Sequence, residues 1–146
     1  MKELKKLLIL LIIGGNIYYL LEIIWRGYSH FSMFILGGLC FILIGLINES
    51  PKTKHLPLII QQIISCIIIT TLELIFGLVL NIWLRLNIWD YSGLKYNFMG
   101  QISLSFSVLW FFLSLPAIVL DDYLRYWFFG EEKPNYSFIN FNRKRI

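Results

Sequence analysis

The sequence predicts an all-α fold: a polytopic integral membrane protein built as a bundle of four transmembrane helices with a short cytoplasmic interfacial helix. Three observations carry this. Hydrophobic residues make up 58% of the 146-residue chain and charged residues 15%, with a mean hydropathy of +0.68, whereas a soluble domain holds roughly 45–50% apolar and 25% charged residues. The apolar residues are gathered into long blocks, not spread along the chain. The basic residues flank those blocks, so the net charge of +4 marks membrane borders and gives no reason to expect nucleic acid as a partner. The expected partner is the lipid bilayer.

Four spans follow from searching for about 17–25 mainly apolar residues. The first covers about 7–24, preceded by Lys2, Lys5 and Lys6 and followed by no small-residue cleavage site, so it is expected to stay as an anchor. The second covers about 31–47, after a tight turn at Arg26 to His30. A polar loop with Pro51 leads to the third, about 57–84, long enough to tilt or protrude. The fourth covers about 102–120, with Pro116 as an expected kink. Residues 121–146 are expected as an interfacial segment and basic tail: aromatics mixed with charges suit the headgroup layer, Gly130 and Pro134 stop the helix, and the chain ends near Arg143, Lys144 and Arg145. Nothing suggests a second domain, so 1–146 is read as one transmembrane unit. Cys40 and Cys66 fall in apolar runs with no CxxC or Cys/His companion and read as small buried hydrophobes.

Orientation follows from the basic residues. With both termini on one side, that side holds Lys2, Lys5, Lys6, Lys52, Lys54, Arg125, Lys133, Arg143, Lys144 and Arg145, against Arg26, Arg85 and Lys95 on the other. The termini are therefore expected in the cytoplasm, with the stretch Glu73 to Gly100 at the outer face of a multi-pass cell-membrane protein.

Polar residues within the spans are ordered. On the third, Gln62, Cys66, Thr70, Glu73, Gly77, Asn81 and Arg85 recur at steps of three or four, which places them on one drifting helix face. Gly15, Tyr19, Glu22 and Arg26 do the same on the first, and Glu22 precedes Arg26 by four, the favoured order for a salt bridge. Ser103, Ser107, Trp110 and Ser114 form a milder stripe on the fourth. Gly37, Gly38 and Gly45 would let the second helix approach a neighbour closely.

Counted from the cytoplasmic ends near Leu7 and Leu58, Glu22 and Glu73 each lie fifteen residues in, roughly 22 Å at about 1.5 Å per residue. Carboxylates at such a depth are costly and face protein or a wet cavity. Two readings stand. Glu22 is neutralised by Arg26 and Glu73 by Asn81 or Arg85, or the group forms a polar site opening outward between the first, third and fourth helices.

Directly after this comes the most specific block, Trp89-Asp90-Tyr91-Ser92. Glu73, Gly77, that block, Asn97, Gly100, Ser107 and Trp110, with Leu20-Leu21-Glu22 before Trp25-Arg26, resemble the ABC-transporter type IV, CmpB-like, family of membrane proteins over about half the chain. The resemblance implies a permease-like subunit of a transport system in a bacterial cell membrane, with unknown substrate. The polar faces of the spans make Glu22, Arg26, Glu73, Asn81 and Arg85 a candidate polar site, and the resemblance makes Trp89, Asp90, Tyr91, Ser92, Asn97 and Gly100 an outer-loop motif. Read physically, Trp89 and Tyr91 are interfacial anchors, Asp90 and Ser92 turn formers, and Gly93 a position that permits positive φ. The loop is either a structural cap or a lid over the polar stripe.

No GxxxxGK[ST] loop is present, so any nucleotide hydrolysis would belong to a separate ATPase subunit. Four helices are few for a transport path, which points to a homo-oligomer or other membrane subunits. The alternative is a non-transporting structural or regulatory subunit acting with an envelope partner. An intramembrane enzyme is the weakest reading. No HExxH or other metal-ligand cluster is present, His30 and His55 fall on opposite sides of the membrane, and no catalytic residue, metal or cofactor is expected.

Overall fold

Isoleucines face outward and polar side chains inward. In the computed structural model, which describes residues 1–139, the third helix buries Gln61, Gln62, Ser65 and Glu73 while exposing Ile59, Ile63, Ile67 and Ile75. That inversion suits a hydrocarbon solvent, where side chains that can hydrogen-bond must find partners inside the protein. Four helices are long and apolar enough to cross a membrane: α1 (Lys2–Arg26), α2 (Phe31–Glu49), α3 (Leu58–Gly77, prolonged by a π-helical turn Leu78–Trp83) and α4 (Leu104–Phe129). The fold is an all-α four-helix bundle. Its only strands among the described residues are β1 (Asn97–Phe98) and β2 (Ile102–Ser103), an antiparallel pair pairing Asn97 with Ser103 and Phe98 with Ile102.

α1 and α2 form a close hairpin because glycines remove the side chains that would hold them apart. A Cβ at Gly14 would lie 2.4 Å from Phe41 Cβ, and one at Gly38 would lie 2.6 Å from the Leu11 carbonyl oxygen. Gly27, at φ 81°, ends α1, and the His30 ring accepts the Ser32 amide to begin α2. α4 packs on α3 and α2. Met33, Leu36, Cys40, Ile88 and Trp89 form the core near the loop end, while Leu10, Phe41 and Leu124, and separately Ile44, Leu58 and Ile118, form it near the chain ends. Both cysteines are free.

Two boundaries differ from the sequence reading. Residues 121–129 are not a separate interfacial helix but the end of α4, which continues unbroken through Pro116. The charges that follow the apolar block are drawn into pairs instead. Arg125 Nε donates to Asp121 Oδ2 at 2.8 Å, and its guanidinium also faces Glu49 at 3.4 Å. Gly45 makes room, since a Cβ there would lie 2.4 Å from Asp121 Oδ2. The second difference is the tail after Gly130, which crosses back under the bundle. Glu131 pairs with Lys6 of α1, Tyr136 donates to Asp122 of α4 at 2.6 Å, and the carbonyls of Ser137 and Phe138 accept the Leu58 and Ile59 amides at 2.8 and 3.3 Å. The tail thus caps the first turn of α3, whose amides have no partner within the helix. Arg143, Lys144 and Arg145 lie outside the described residues.

Candidate functional site

Glu73 sits on the inner face of α3 and is 4% exposed. Each carboxylate oxygen accepts one hydrogen bond from an aromatic side chain. Tyr91 donates its hydroxyl to Oε1 at 2.6 Å and Trp110 its indole N–H to Oε2 at 2.8 Å. The donors are held by stacking: Tyr91 lies 4.4 Å from Phe106 at 14°, and Phe106 and Tyr18 each lie 6.0 Å from Trp110. Burial, reinforced by the Glu73 carboxylate, raises the Tyr91 hydroxyl well above the usual phenol range, so it remains a donor.

Tyr91 reaches Glu73 because the loop folds back over the end of α3. Its geometry starts at the π-helical turn, where Asn81 becomes a clamp. Asn81 Oδ1 accepts the Ile88 amide at 2.7 Å, and Nδ2 donates to Gln101 Oε1 at 2.8 Å. Gln101 in turn accepts the Trp89 indole N–H on its main-chain oxygen at 3.0 Å. The clamp needs a glycine beneath it, since a Cβ at Gly77 would lie 2.5 Å from Gln101 Oε1.

The loop also braces itself. The Ser92 amide donates to Asp90 Oδ1 at 2.9 Å, and bonds from the Ser92 backbone and hydroxyl hold the Asp90 carboxyl below its usual range. Asn97 Nδ2 donates to the Leu94 carbonyl at 2.7 Å, its Oδ1 accepts the Gly100 amide at 3.0 Å, and the Gly100 carbonyl accepts the Tyr91 amide at 2.7 Å. Gly100 has φ 71°, and a Cβ there would approach Asp90 Oδ1 to 2.8 Å, so both conformation and space call for glycine. From α1, Arg26 donates to the Ile88 carbonyl at 3.0 Å while its other nitrogens hold Glu22. The loop therefore presents one aromatic hydroxyl at a buried carboxylate.

Comparison with family models gives a match over residues 9–129 to the family described as Putative ABC-transporter type IV. The chain belongs to this family. The matched region runs from within α1 to the last residue of α4 and contains Glu73 and the whole outer loop. Comparison with curated proteins and with solved structures gives no match.

Within this type IV family member the expected site residues separate into three groups. Glu22 and Arg26 form the expected pair, at 2.6 Å, with Tyr18 and Ser29 adding hydroxyls to Glu22 at 3.1 and 3.2 Å. Glu73 is joined to the loop motif through Tyr91. Asn81 and Arg85, expected beside Glu73, are not its partners. Asn81 is engaged by Gln101 and Ile88, whereas Arg85 is exposed at φ 55° and makes no ion pair with Glu73. The cause is that the helix ends in the π-helical turn at Trp83, so Arg85, two residues beyond it with a left-handed backbone, no longer continues the face that carries Glu73.

The remaining polar stripe does not open outward. Gln62 donates to the Phe111 carbonyl at 3.1 Å, Cys66 to the Ser107 carbonyl at 3.0 Å, and the Thr70 and Ser107 hydroxyls share a bond of 3.1 Å. It is a seam that fastens α3 to α4. Gln101 and the Asp121–Arg125 pair were missed, although an acid four residues before an arginine was a visible signal for the latter. Among the described residues no group of three His, Cys, Asp or Glu side chains is placed to hold a metal ion.

Proposed function

We propose that the chain is the permease-like membrane subunit of a transport system, with Glu73 as the group that contacts solute or proton and the Trp89–Ser92 loop as its outer lid. One observation carries the reading. Glu73 lies within the third span, holds no ion pair among the described residues, and receives one of its two hydrogen bonds from the loop itself. A carboxylate kept in a bilayer solely for structure is normally matched by a cation, as Glu22 is by Arg26. Here the neutralising group is left to come from outside, and withdrawal of Tyr91 would open the way to it. ATP hydrolysis belongs in this reading to a separate subunit.

Glu73→Gln keeps the size, an oxygen for the Trp110 indole N–H and an amide N–H for the Tyr91 hydroxyl to accept, but removes the charge. The variant is expected to accumulate and melt like wild type in detergent while failing to complement a deletion strain. Full complementation by well-folded Glu73→Gln would overturn the proposal. It would favour the second reading, a non-transporting structural or regulatory subunit, for which the side-chain seam between α3 and α4 speaks. The distribution of Lys and Arg supports an orientation with both termini in the cytoplasm. A cysteine at Ser92 should then react with an impermeant reagent from outside only, and labelling from the cytoplasm would reverse the assignment.

A further inference from the structure

α1 packs along α2, and α4 along α3 and α2, which leaves a gap between α1 and α4. A cavity of about 210 Å³ fills that gap. Ile17 and Leu21 of α1 face Leu113 and Ala117 of α4 across it, and Leu36 and Ile44 of α2 form its floor. From Trp110 to Leu120, both in the wall, α4 rises roughly 15 Å at about 1.5 Å per residue. The tilted Tyr18–Trp110 ring pair bridges the two helices at the upper end. Glu73 lies in the wall at that level and is the one Asp, Glu, Lys or Arg lining the cavity.

Two properties of this cavity specify an occupant. Its length is lined by hydrocarbon, which favours an alkyl chain over a hydrated solute. Its one carboxylate meets only neutral donors, and the Arg26 guanidinium is bound to Glu22 at 2.6 Å. An uncompensated carboxylate at this depth favours a positive charge beside it. We infer that the cavity between α1 and α4 binds a single-chain lipophilic cation, an alkyl chain carrying an amine or ammonium head, with the chain along α4 and the head at Glu73. This rests on the reading of Glu73 as the solute-contacting carboxylate and names the class of solute.

The test uses the full chain in phosphatidylcholine nanodiscs at neutral pH, with dodecylamine and dodecanol as probes of equal chain length, and empty nanodiscs subtracted. Wild type is expected to bind the amine saturably and at least about tenfold more tightly than the alcohol, the size of one charge-assisted contact. Glu73→Gln should bring the two probes to parity. Ala117→Phe, checked for an unchanged melting temperature, should weaken both by filling the cavity. Parity of the probes on wild type, which needs no variant to fold, would overturn the inference, as would an amine preference that survives Glu73→Gln. The two proposals fail separately. Parity on wild type together with loss of complementation by Glu73→Gln removes the solute class and leaves the permease reading. An amine preference lost in a Glu73→Gln protein that still complements leaves the site and removes its transport role.

Discussion

Two carboxylates in this protein are buried and held in opposite ways. Glu73 is held by neutral aromatic donors, whereas Asp121, 0% exposed, is held by Arg125, 2% exposed. The difference decides what substitution does to each. Removing the charge of Glu73 leaves a glutamine oxygen for the Trp110 indole N–H and an amide N–H that the Tyr91 hydroxyl can accept. Removing Arg125 strands Asp121 as an unpaired charge, a change that costs about 3–5 kcal/mol at buried pairs. Arg125→Gln should therefore lower the unfolding free energy in micelles by several times more than Glu73→Gln, and equal losses would mean that the Asp121 pair is not the buried lock described. Replacing both Asp121 and Arg125 by leucine should recover much of the loss, because a buried pair is often no better than well-packed apolar side chains.

At the scale of elements, the π-helical turn connects the span to the lid. It places Asn81 where one side chain reaches both the Ile88 amide and Gln101, at 2.7 and 2.8 Å. The clamp works only because Gly77 leaves room for the Gln101 amide. Gly77→Ala would put a methyl about where that oxygen lies, 2.5 Å away, and overpacking of this kind costs about 1–3 kcal/mol. The variant should loosen the loop, raising proteolysis between Trp89 and Gly100. Adding Gln101→Gly should relieve the clash, since it removes both that oxygen and the Gln101 Cβ, itself 2.8 Å away, and restore part of the stability, although the Asn81 bond is lost. Two fully additive losses would show that the glycine and the glutamine do not share this space.

For the whole molecule, the chain ends hold the bundle together from below while the loop closes it above. The tail after Gly130 touches α1, α3 and α4 through Lys6, the Leu58 and Ile59 amides, and Asp122. Truncation after Gly130 frees the first-turn amides of α3 and removes Glu131, one of two acidic partners of Lys6. Amide exchange at Leu58 and Ile59 should accelerate strongly, while the Trp110 indole N–H, at the far end, should stay protected. Unchanged exchange at Leu58 and Ile59 would show that the strap does not cap α3.

The sequence by itself determined the four spans, the placement of both termini at one end, the glycines that let α2 approach a neighbour closely, the Glu22–Arg26 pair and the inward face of α3. Hydropathy blocks, i to i+4 spacing and small-residue positions are properties of one segment, so no knowledge of the partner is needed to read them. Only the tertiary structure decided what holds Glu73, because its donors lie eighteen and thirty-seven residues further along the chain and the loop between them could close in many ways. The same holds for Arg85, whose helical projection toward Glu73 fails because the helix ends at Trp83, two residues before it, in a π-helical turn that α-helical periodicity does not announce. It holds as well for the length of α4. Charges at Asp121, Asp122 and Arg125 end an apolar block on paper, but Asn48, Glu49 and Tyr136 come from other segments to satisfy them, and a buried charge is tolerated or not according to partners that only the fold brings near.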